Sequence, residues 1–207
     1  MRTFILNYSQ HHQAGAFCLG MEDAMQELSG LDASFLYLEA PNMPMHVGGV
    51  SVIEGSLDFD AFRDLLETRI HLSRSFTQRL VFTPMDLDRP CWIEDPNFNL
   101  DYHLHHIALP QPGDWRQLRR LASRIFSRPL DRLRPLWEFF FVEGLNSISQ
   151  VPEGSIALIS KVHHAAIDGV SGSDIMNMIF DIAPKRREVS PPKISKPEIV
   201  PGNFQLL

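Results

Sequence analysis

The chain has no run of apolar residues approaching the roughly 20 that a helix needs to cross a bilayer, so any membrane contact is expected to be peripheral. Basic residues are also in the minority: 19 lysines and arginines stand against 25 aspartates and glutamates, a net charge of −6. This balance argues against a nucleic-acid-binding protein. There are only two cysteines, Cys18 and Cys91, far apart in the sequence. They favour reduced thiols in the cytoplasm over a disulfide framework.

The residues that are present have the composition of an ordinary globular domain. The 207 residues are 44% hydrophobic and 21% charged, enough for one sizeable core. Apolar stretches predict strands at 45–55, 135–145 and 155–163, and short apolar–polar alternation predicts a run of strands at 79–109. Apolar residues three and four positions apart predict a helix from about Phe59 to His71 and a second one that opens at Asp114.

The second helix has a clear start signal, because Gln117 lies three residues after Asp114 and completes a capping-box pattern. Its apolar positions are expected to form a buried stripe, made of Trp115, Leu118, Leu121, Ala122, Ile125 and Phe126. Five arginines at positions 116, 119, 120, 124 and 128 lie on or near the other face. A run of like charges is usually a solvated face, and we expect that here.

The two ends of the chain differ from its middle. Residues 1–20 have too short an apolar run for a secretory signal and are expected to be a disordered extension. Beyond Ala183 the chain carries five prolines without periodicity, so residues 185–207 are expected to be a linker or tail. Residues 21–184 then form one domain.

The most informative stretch is the pattern His-His-X-X-X-Asp-Gly formed by His163, His164, Asp168 and Gly169. It lies where a predicted strand ends and a helical periodicity begins. Neighbouring strand residues point to opposite faces, so one histidine can face a cleft while the other packs. Histidine takes and returns a proton near neutral pH, which suits a general base. Asp168 can orient a histidine or pair with an arginine, and Gly169 suits a tight turn.

Structural and metal-binding roles compete with this assignment of the histidines. A single histidine is most often structural or merely exposed, but two of them with Asp-Gly at this spacing favour a functional site. A metal site needs at least three converging ligands. Because the two histidines face opposite sides of the strand, they cannot both bind the same metal ion, so we expect no metal here. His46 is expected to pack. The cluster of His103, His105 and His106 is expected to be a polar strand surface.

The stretch KVHHAAIDGVSG at 161–172 resembles the active-site motif of the CoA-dependent acyltransferase superfamily, which includes chloramphenicol acetyltransferase and condensation domains. Two further stretches distinguish among its members. They are LSGLDASFLYLEAPNMPMHVGGVSVIEG from Leu28 and RPLDRLRPLWEFFFVEGL from Arg128, whose Pro135, Leu136 and Trp137 resemble a second motif. Together they resemble the N-terminal half of the bacterial wax ester synthase/diacylglycerol acyltransferase family, from about Met25 onward.

The resemblance implies an α/β fold with a mixed sheet flanked by helices, one half of a two-domain chloramphenicol-acetyltransferase-like protein with its active site in a tunnel between the halves. It implies transfer of a long-chain acyl group from acyl-CoA to diacylglycerol or a long-chain alcohol, with no cofactor beyond this co-substrate. His164 would be the general base, with His163 as its support and Asp168 as a structural residue. Gly169 would keep the turn tight beside the CoA route, and the motif at 135–137 would support the site.

The resemblance covers only the first half of the family, so we expect the second half, with its Asn-Asp motif, to be absent from this chain. Apolar surface would then be uncovered, and we expect self-association or a second half supplied by a separate chain. A non-catalytic remnant that binds lipid or a partner is an open alternative. Another acyltransferase with the same motif, such as a condensation-type domain, is a second one. The expected location is the cytoplasm, with peripheral contact to membranes or lipid inclusions and no nucleic-acid partner.

Overall fold

The computed structural model describes residues 26–83, 85, 87–167, 179–181 and 187–191. Asp168 and Gly169 therefore lie outside the described residues, as do the predicted extension at 1–20 and most of the predicted tail. Among the described residues, none of the helices combines the length and the apolar composition of a membrane span.

Strands and helices are mixed along the described part of the chain. The strands are β1 (Gln26–Glu27), β2 (His46–Ile53), β3 (Gln78–Val81), β4 (Cys91–Glu94), β5 (Leu104–Ala108), β6 (Trp137–Glu143) and β7 (Ile156–His163). The α-helices are α1 (Gly30–Leu38), α2 (Phe59–Glu67) and α3 (Trp115–Phe126). Short 3-10 helices occupy Ile70–Leu72, Arg74–Phe76, Leu100–Tyr102 and His164–Ala166.

The strands form two sheets. The larger has the order β2-β7-β6-β5, in which β5 runs parallel to β6 and the other neighbours are antiparallel. The smaller is an antiparallel sheet with the order β1-β4-β3. A mixed sheet flanked by helices confirms the expected fold class. The pairing of β6 with β7 confirms that the 135–137 motif lies beside the strand that ends in the histidines.

The larger sheet has an apolar core on each face. On one face Phe139, Phe141 and Leu158 pack with side chains from α1, α2 and the smaller sheet. On the other face Leu118 and its neighbours on α3 pack against Ala157 and other side chains of β6 and β7. Each large apolar side chain that is fully buried contributes about 1.5–3 kcal/mol to the free energy of unfolding. The sheet, and with it the end of β7, is thus fixed from both sides.

Helix α3 begins as predicted, because Asp114 accepts a hydrogen bond from the Gln117 backbone at 2.8 Å and Gln117 Oε1 accepts one from the Asp114 backbone at 3.0 Å. The five arginines on and just after it are all exposed, as expected. The expectation that Trp115 is buried is wrong, since its exposed fraction is 38%. Trp115 lies in the first turn, before Leu118 and the later residues that meet the sheet.

Helix α2 ends at Glu67, earlier than the predicted His71. The reason is Arg69, which is fully buried and whose guanidinium needs partners. The turn after the helix lets Arg69 donate to the carbonyl of Ile179 and to Asp181 Oδ2. This hydrogen bond is the main cause of a lowered pKa of Asp181. Arg69 thus ties α2 to a segment that follows the histidine motif.

Candidate active site

The two histidines lie at the end of β7 and have opposite environments. His163 is the last residue of the strand and is fully buried, whereas His164 opens the next 3-10 helix and is exposed. This confirms that one histidine packs while the other is exposed. Their backbones are held from both sides: His163 N–H donates to Leu136 at 2.9 Å and His164 N–H donates to Met45 at 2.8 Å.

The ring of His164 is fixed by stacking. It lies against Phe35 of α1 with 3.9 Å between ring centroids and 16° between ring planes. Among the described residues neither ring nitrogen of His164 has a hydrogen-bond partner. An exposed imidazole whose position is set by stacking and by its backbone can accept a proton from a bound molecule.

His163 is a buried and neutral neighbour. Its Nδ1 accepts the backbone N–H of Ala165 at 3.1 Å, so the neutral ring carries its proton on Nε2. That nitrogen lies 3.5 Å from Glu39 Oε1, which is an electrostatic contact rather than a hydrogen bond. Burial lowers the pKa of His163 to about 4, despite the opposing effect of Glu39. Because Ala165 lies in the 3-10 helix that His164 opens, His163 also fixes the shape of that turn.

Glu39 is ionised and held by an arginine. Its buried Oε2 accepts from Arg132 Nε at 2.9 Å and from Nη2 at 2.7 Å, and its Oε1 accepts the backbone N–H of Met45 at 3.1 Å. Burial alone would raise the pKa of Glu39, but the hydrogen bonds from Met45 and Arg132 lower it overall. Arg132 also donates to the Leu36 carbonyl at 2.8 Å. The pair therefore joins α1, β2 and the loop before β6 beside His163.

Sequence reasoning assigned no role to Phe35, Glu39 or Arg132. Phe35 and Glu39 occur in FLYLE and Arg132 in RPLDRLRPLW, both inside stretches that carry the family resemblance. Their position inside these stretches is the one sequence feature that points to them. Glu39 and Arg132 are 93 positions apart, so no spacing rule could have paired them.

The structure places the predicted support motif directly beside the buried histidine. Pro135, Leu136 and Trp137 are all buried, and the Leu136 carbonyl is the acceptor for the His163 backbone. Trp137 Nε1 donates to the carbonyl of Phe76 at 3.0 Å. These contacts tie β6 to the turn that follows α2. Among the described contacts, none of the three side chains touches His164.

Two other histidines pack against the sheet. His46 lies opposite His163 on β2 and donates from Nε2 to the Phe126 carbonyl at 2.9 Å, so its predicted packing role is confirmed. Burial, followed by the positive charge of Lys161, lowers the pKa of His46. The predicted strand-surface position of His103 is wrong. It lies before β5, is buried, and stacks on Trp137 at 4.6 Å.

The remaining histidines of that cluster lie on β5 and also contact aromatic rings. His105 stacks on Phe140 at 4.7 Å, and His106 stacks on Phe59 at 4.3 Å and lies 3.3 Å from Glu143 Oε2. In the part of the chain that the structure describes, no group of three or more histidine, cysteine or acidic side chains could hold a metal ion.

The chain is similar to known proteins in sequence. The family model for the wax ester synthase/diacylglycerol acyltransferase catalytic domain matches residues 28–201. A Mycobacterium tuberculosis protein named provisionally as a diacylglycerol O-acyltransferase is 37% identical over 166 residues, which cover 78% of this chain and 32% of that protein.

Two solved structures share the fold. The wax ester synthase/diacylglycerol acyltransferase from Marinobacter aquaeolei VT8 is 34% identical with a TM-score of 0.59, and the match covers 73% of this chain and 37% of that one. The starter condensation domain of a rhizomide synthetase has the same TM-score of 0.59 at only 15% identity, covering 75% of this chain and 37% of that one, which shows the fold alone. The chain thus spans about a third of the length of these relatives.

Proposed function

Because the chain belongs to the wax ester synthase/diacylglycerol acyltransferase family, we propose that it is the N-terminal catalytic part of an O-acyltransferase. It would transfer a long-chain acyl group from acyl-CoA to diacylglycerol, to a long-chain alcohol, or to both. The observation that carries the proposal is His164, an exposed imidazole fixed by Phe35 beside a buried, neutral His163. The matched relatives are named for these two activities.

The reaction needs one base and no cofactor beyond its co-substrate. His164 takes the hydroxyl proton of the acceptor as the alcohol oxygen attacks the thioester carbonyl of acyl-CoA. The tetrahedral intermediate collapses as the carbon–sulfur bond breaks, and the imidazolium returns the proton to the leaving thiolate. The products are an ester and free CoA, and no acyl-enzyme forms.

His163, Glu39 and Arg132 then act as positioning residues. His163 holds the turn through Ala165, and the ion pair fixes α1, which carries the ring that stacks on His164. We retain the structural role proposed for Asp168 and the proposal that Gly169 keeps the turn tight beside the CoA route. Residues 21–184 would form the domain, with 1–20 as an extension and 185–207 as a linker or tail.

The test is thiol release from a long-chain acyl-CoA in the presence of hexadecanol or diacylglycerol. We expect release by the wild-type chain that depends on the acceptor and is lost in His164→Ala, with an unchanged far-ultraviolet circular dichroism spectrum. His71→Ala is the matched control, since His71 bonds the carbonyl of Ser190 away from the motif and its loss should leave the rate unchanged. Release that survives in His164→Ala would contradict its role as the base.

A second candidate is a chain that binds lipid or a second half without turnover. It is favoured by large apolar side chains left exposed on and next to α1 and β2: Leu31, Tyr37, Leu38, Met43, Val47 and Val50. The same thiol-release assay separates the candidates. Release that appears only when a second half is added, and that survives in His164→Ala, would support a binding role without turnover for this chain.

We also propose a cytoplasmic protein that works at the surface of membranes or lipid inclusions. Diacylglycerol and long-chain alcohols reside in lipid phases, so a chain that acts on them must reach such a surface. Fractionation of cells is the test, and a protein found only in the lipid-free supernatant would contradict the proposal.

A further inference from the structure

Two buried ring nitrogens lie on directly opposed residues at the histidine motif. They are Nε2 of His163 on β7 and Nδ1 of His46 on β2. Within the described part of the chain, neither nitrogen has a hydrogen-bond partner. Buried polar groups in proteins are nearly always hydrogen-bonded, so two such nitrogens in one place call for a shared partner.

The protonation of each nitrogen follows from the bond that the other nitrogen of the same ring makes. His163 Nδ1 accepts the N–H of Ala165, so its Nε2 carries the proton and is a donor. His46 Nε2 donates to the carbonyl of Phe126, so its Nδ1 is bare and is an acceptor. Burial lowers the pKa of both histidines, and both rings are therefore neutral at pH 7. The two nitrogens are thus one buried donor and one buried acceptor.

The strand register brings the two rings together. Directly opposed residues of an antiparallel pair point to the same face of the sheet, with Cβ atoms about 4.5–5.5 Å apart. Glu39 is the third member of this cluster, since its Oε1 lies 3.5 Å from His163 Nε2. Its negative charge partly opposes the effect of burial on the pKa of both rings. The cluster of His46, His163 and Glu39 therefore combines one donor with two acceptors.

One water molecule matches this set of groups. A buried water makes about three hydrogen bonds to polar groups that have no other partner. Here it would accept the hydrogen bond from His163 Nε2 and donate its two hydrogens to His46 Nδ1 and Glu39 Oε1. That oxygen accepts the N–H of Met45 with one lone pair and keeps a second one. A metal ion does not match, because His163 Nε2 already carries a proton.

We propose that His46 is a positioning residue for the proposed base, and that it acts through one buried water shared with His163 and Glu39. The bridge would hold the ring of His163, whose Nδ1 fixes the N–H of Ala165 in the 3-10 helix that His164 opens.

The other side of the His46 ring is held by helix α3. Its Nε2 donates to the carbonyl of Phe126, the last residue of that helix, at 2.9 Å. The end of α3 is thereby connected through His46 to the turn that presents His164. The effect on catalysis rests on the proposed function, whereas the water and the two tautomers can be tested without any acyl transfer.

The water and the tautomers are tested on the full wild-type chain. In a high-resolution crystal structure we expect one density peak within hydrogen-bonding distance of His163 Nε2, His46 Nδ1 and Glu39 Oε1. In two-bond proton–nitrogen NMR spectra of the isotope-labelled chain we expect both histidines to carry the proton on Nε2. A direct bond between the two rings, a proton on His163 Nδ1, or no density between the three atoms would overturn the inference.

Two variants separate the bridge from the packing of the ring. His46→Asn places an amide oxygen near the position of Nδ1 and keeps the acceptor, whereas His46→Gln reaches the Phe126 carbonyl in place of Nε2 and removes it. We expect kcat for thiol release to fall about tenfold in His46→Gln, because one hydrogen bond is lost, and less than about threefold in His46→Asn. The KM for acyl-CoA should be unchanged in both variants.

The outcomes distinguish the bridge from the proposed reaction. Equal losses of kcat in the two variants would refute the positioning role, since lost packing would explain both. Release that needs His164 but has the wild-type kcat in His46→Gln would refute the role of His46 alone. A bridging water in a chain without thiol release would support the bridge and count against the proposed function. The wild-type crystal structure and NMR spectra decide the bridge even where a variant at position 46 fails to fold.

Discussion

His163 should make the fold sensitive to acid over a defined pH range. The buried ring has a pKa of about 4, whereas a histidine in the unfolded chain titrates near 6.5. Between these values the unfolded state binds a proton that the folded state does not, so the free energy of unfolding falls as the pH drops from 6.5 to 4. At 1.36 kcal/mol per pH unit the full loss is about 3 kcal/mol, and about 2 kcal/mol of it is complete by pH 5.

Other titrating groups also lower the free energy of unfolding as the pH falls. The pH dependence of the wild-type protein alone therefore does not identify the contribution of His163. Burial also lowers the pKa of His46, His103 and His105. The pKa of Glu39 is lowered as well, so the free energy of unfolding falls further as the pH drops below the ordinary pKa of a glutamate. The contribution of His163 is isolated by a variant that keeps the hydrogen bond from Ala165 but has no titratable side chain at position 163. His163→Asn does this, because its side-chain oxygen can still accept the N–H of Ala165.

The measurement is urea unfolding of both proteins at pH 7.5 and pH 5, with the free energy of unfolding obtained by linear extrapolation. The variant will be less stable at pH 7.5, because asparagine fills less of the buried site. We expect the wild-type protein to lose about 2 kcal/mol more than His163→Asn between the two pH values. The same loss in both proteins would refute the assignment of a buried, neutral His163.

Three further variants test neighbouring features. Arg132→Met leaves a buried carboxylate without its partner and should lower the free energy of unfolding by about 3 kcal/mol, whereas Arg134→Met, whose partner is exposed, should cost about 1 kcal/mol or less. Equal losses in urea unfolding would contradict this. Gly48→Ala should cost about 1–3 kcal/mol, because the alanine Cβ would collide with the backbone carbonyl oxygen of Ser160, while the Cβ of Gly49→Ala meets open space. Matching melting temperatures would argue against that close approach. Phe35→Ala removes the ring stacked on His164, the proposed base, and should lower kcat for thiol release about tenfold, and an unchanged kcat would show that the stack is dispensable.

The parts of the fold that sequence reasoning predicted correctly depend on local patterns. Strand alternation separates a buried His163 from an exposed His164, and a capping box at Asp114 begins α3. The β6–β7 pairing followed from two apolar runs joined by a short connection. Each of these rests on residues close together in the chain, where periodicity and turn chemistry dominate.

The parts that it missed depend on contacts between distant residues. Arg132 reaches Glu39 across 93 positions, and His103 is buried because it stacks on Trp137 and bonds its carbonyl, 34 positions away. Arg69, just after the end of α2, bonds Asp181, which lies 112 positions further on. Buried polar groups need partners, but the sequence does not show which segment of the chain supplies them.

The same long-range contacts explain how two adjacent histidines can have different tasks. The proposed reaction forms an imidazolium on His164, and a second positive charge on His163 would repel it. Burial keeps His163 neutral, and Arg132 offsets the carboxylate of Glu39 that would otherwise hold a proton on that ring. The proton on the neutral ring is held on Nε2 because Nδ1 is occupied by the Ala165 N–H. In the proposed reaction His163 therefore shapes the turn, and His164 is the histidine that changes charge.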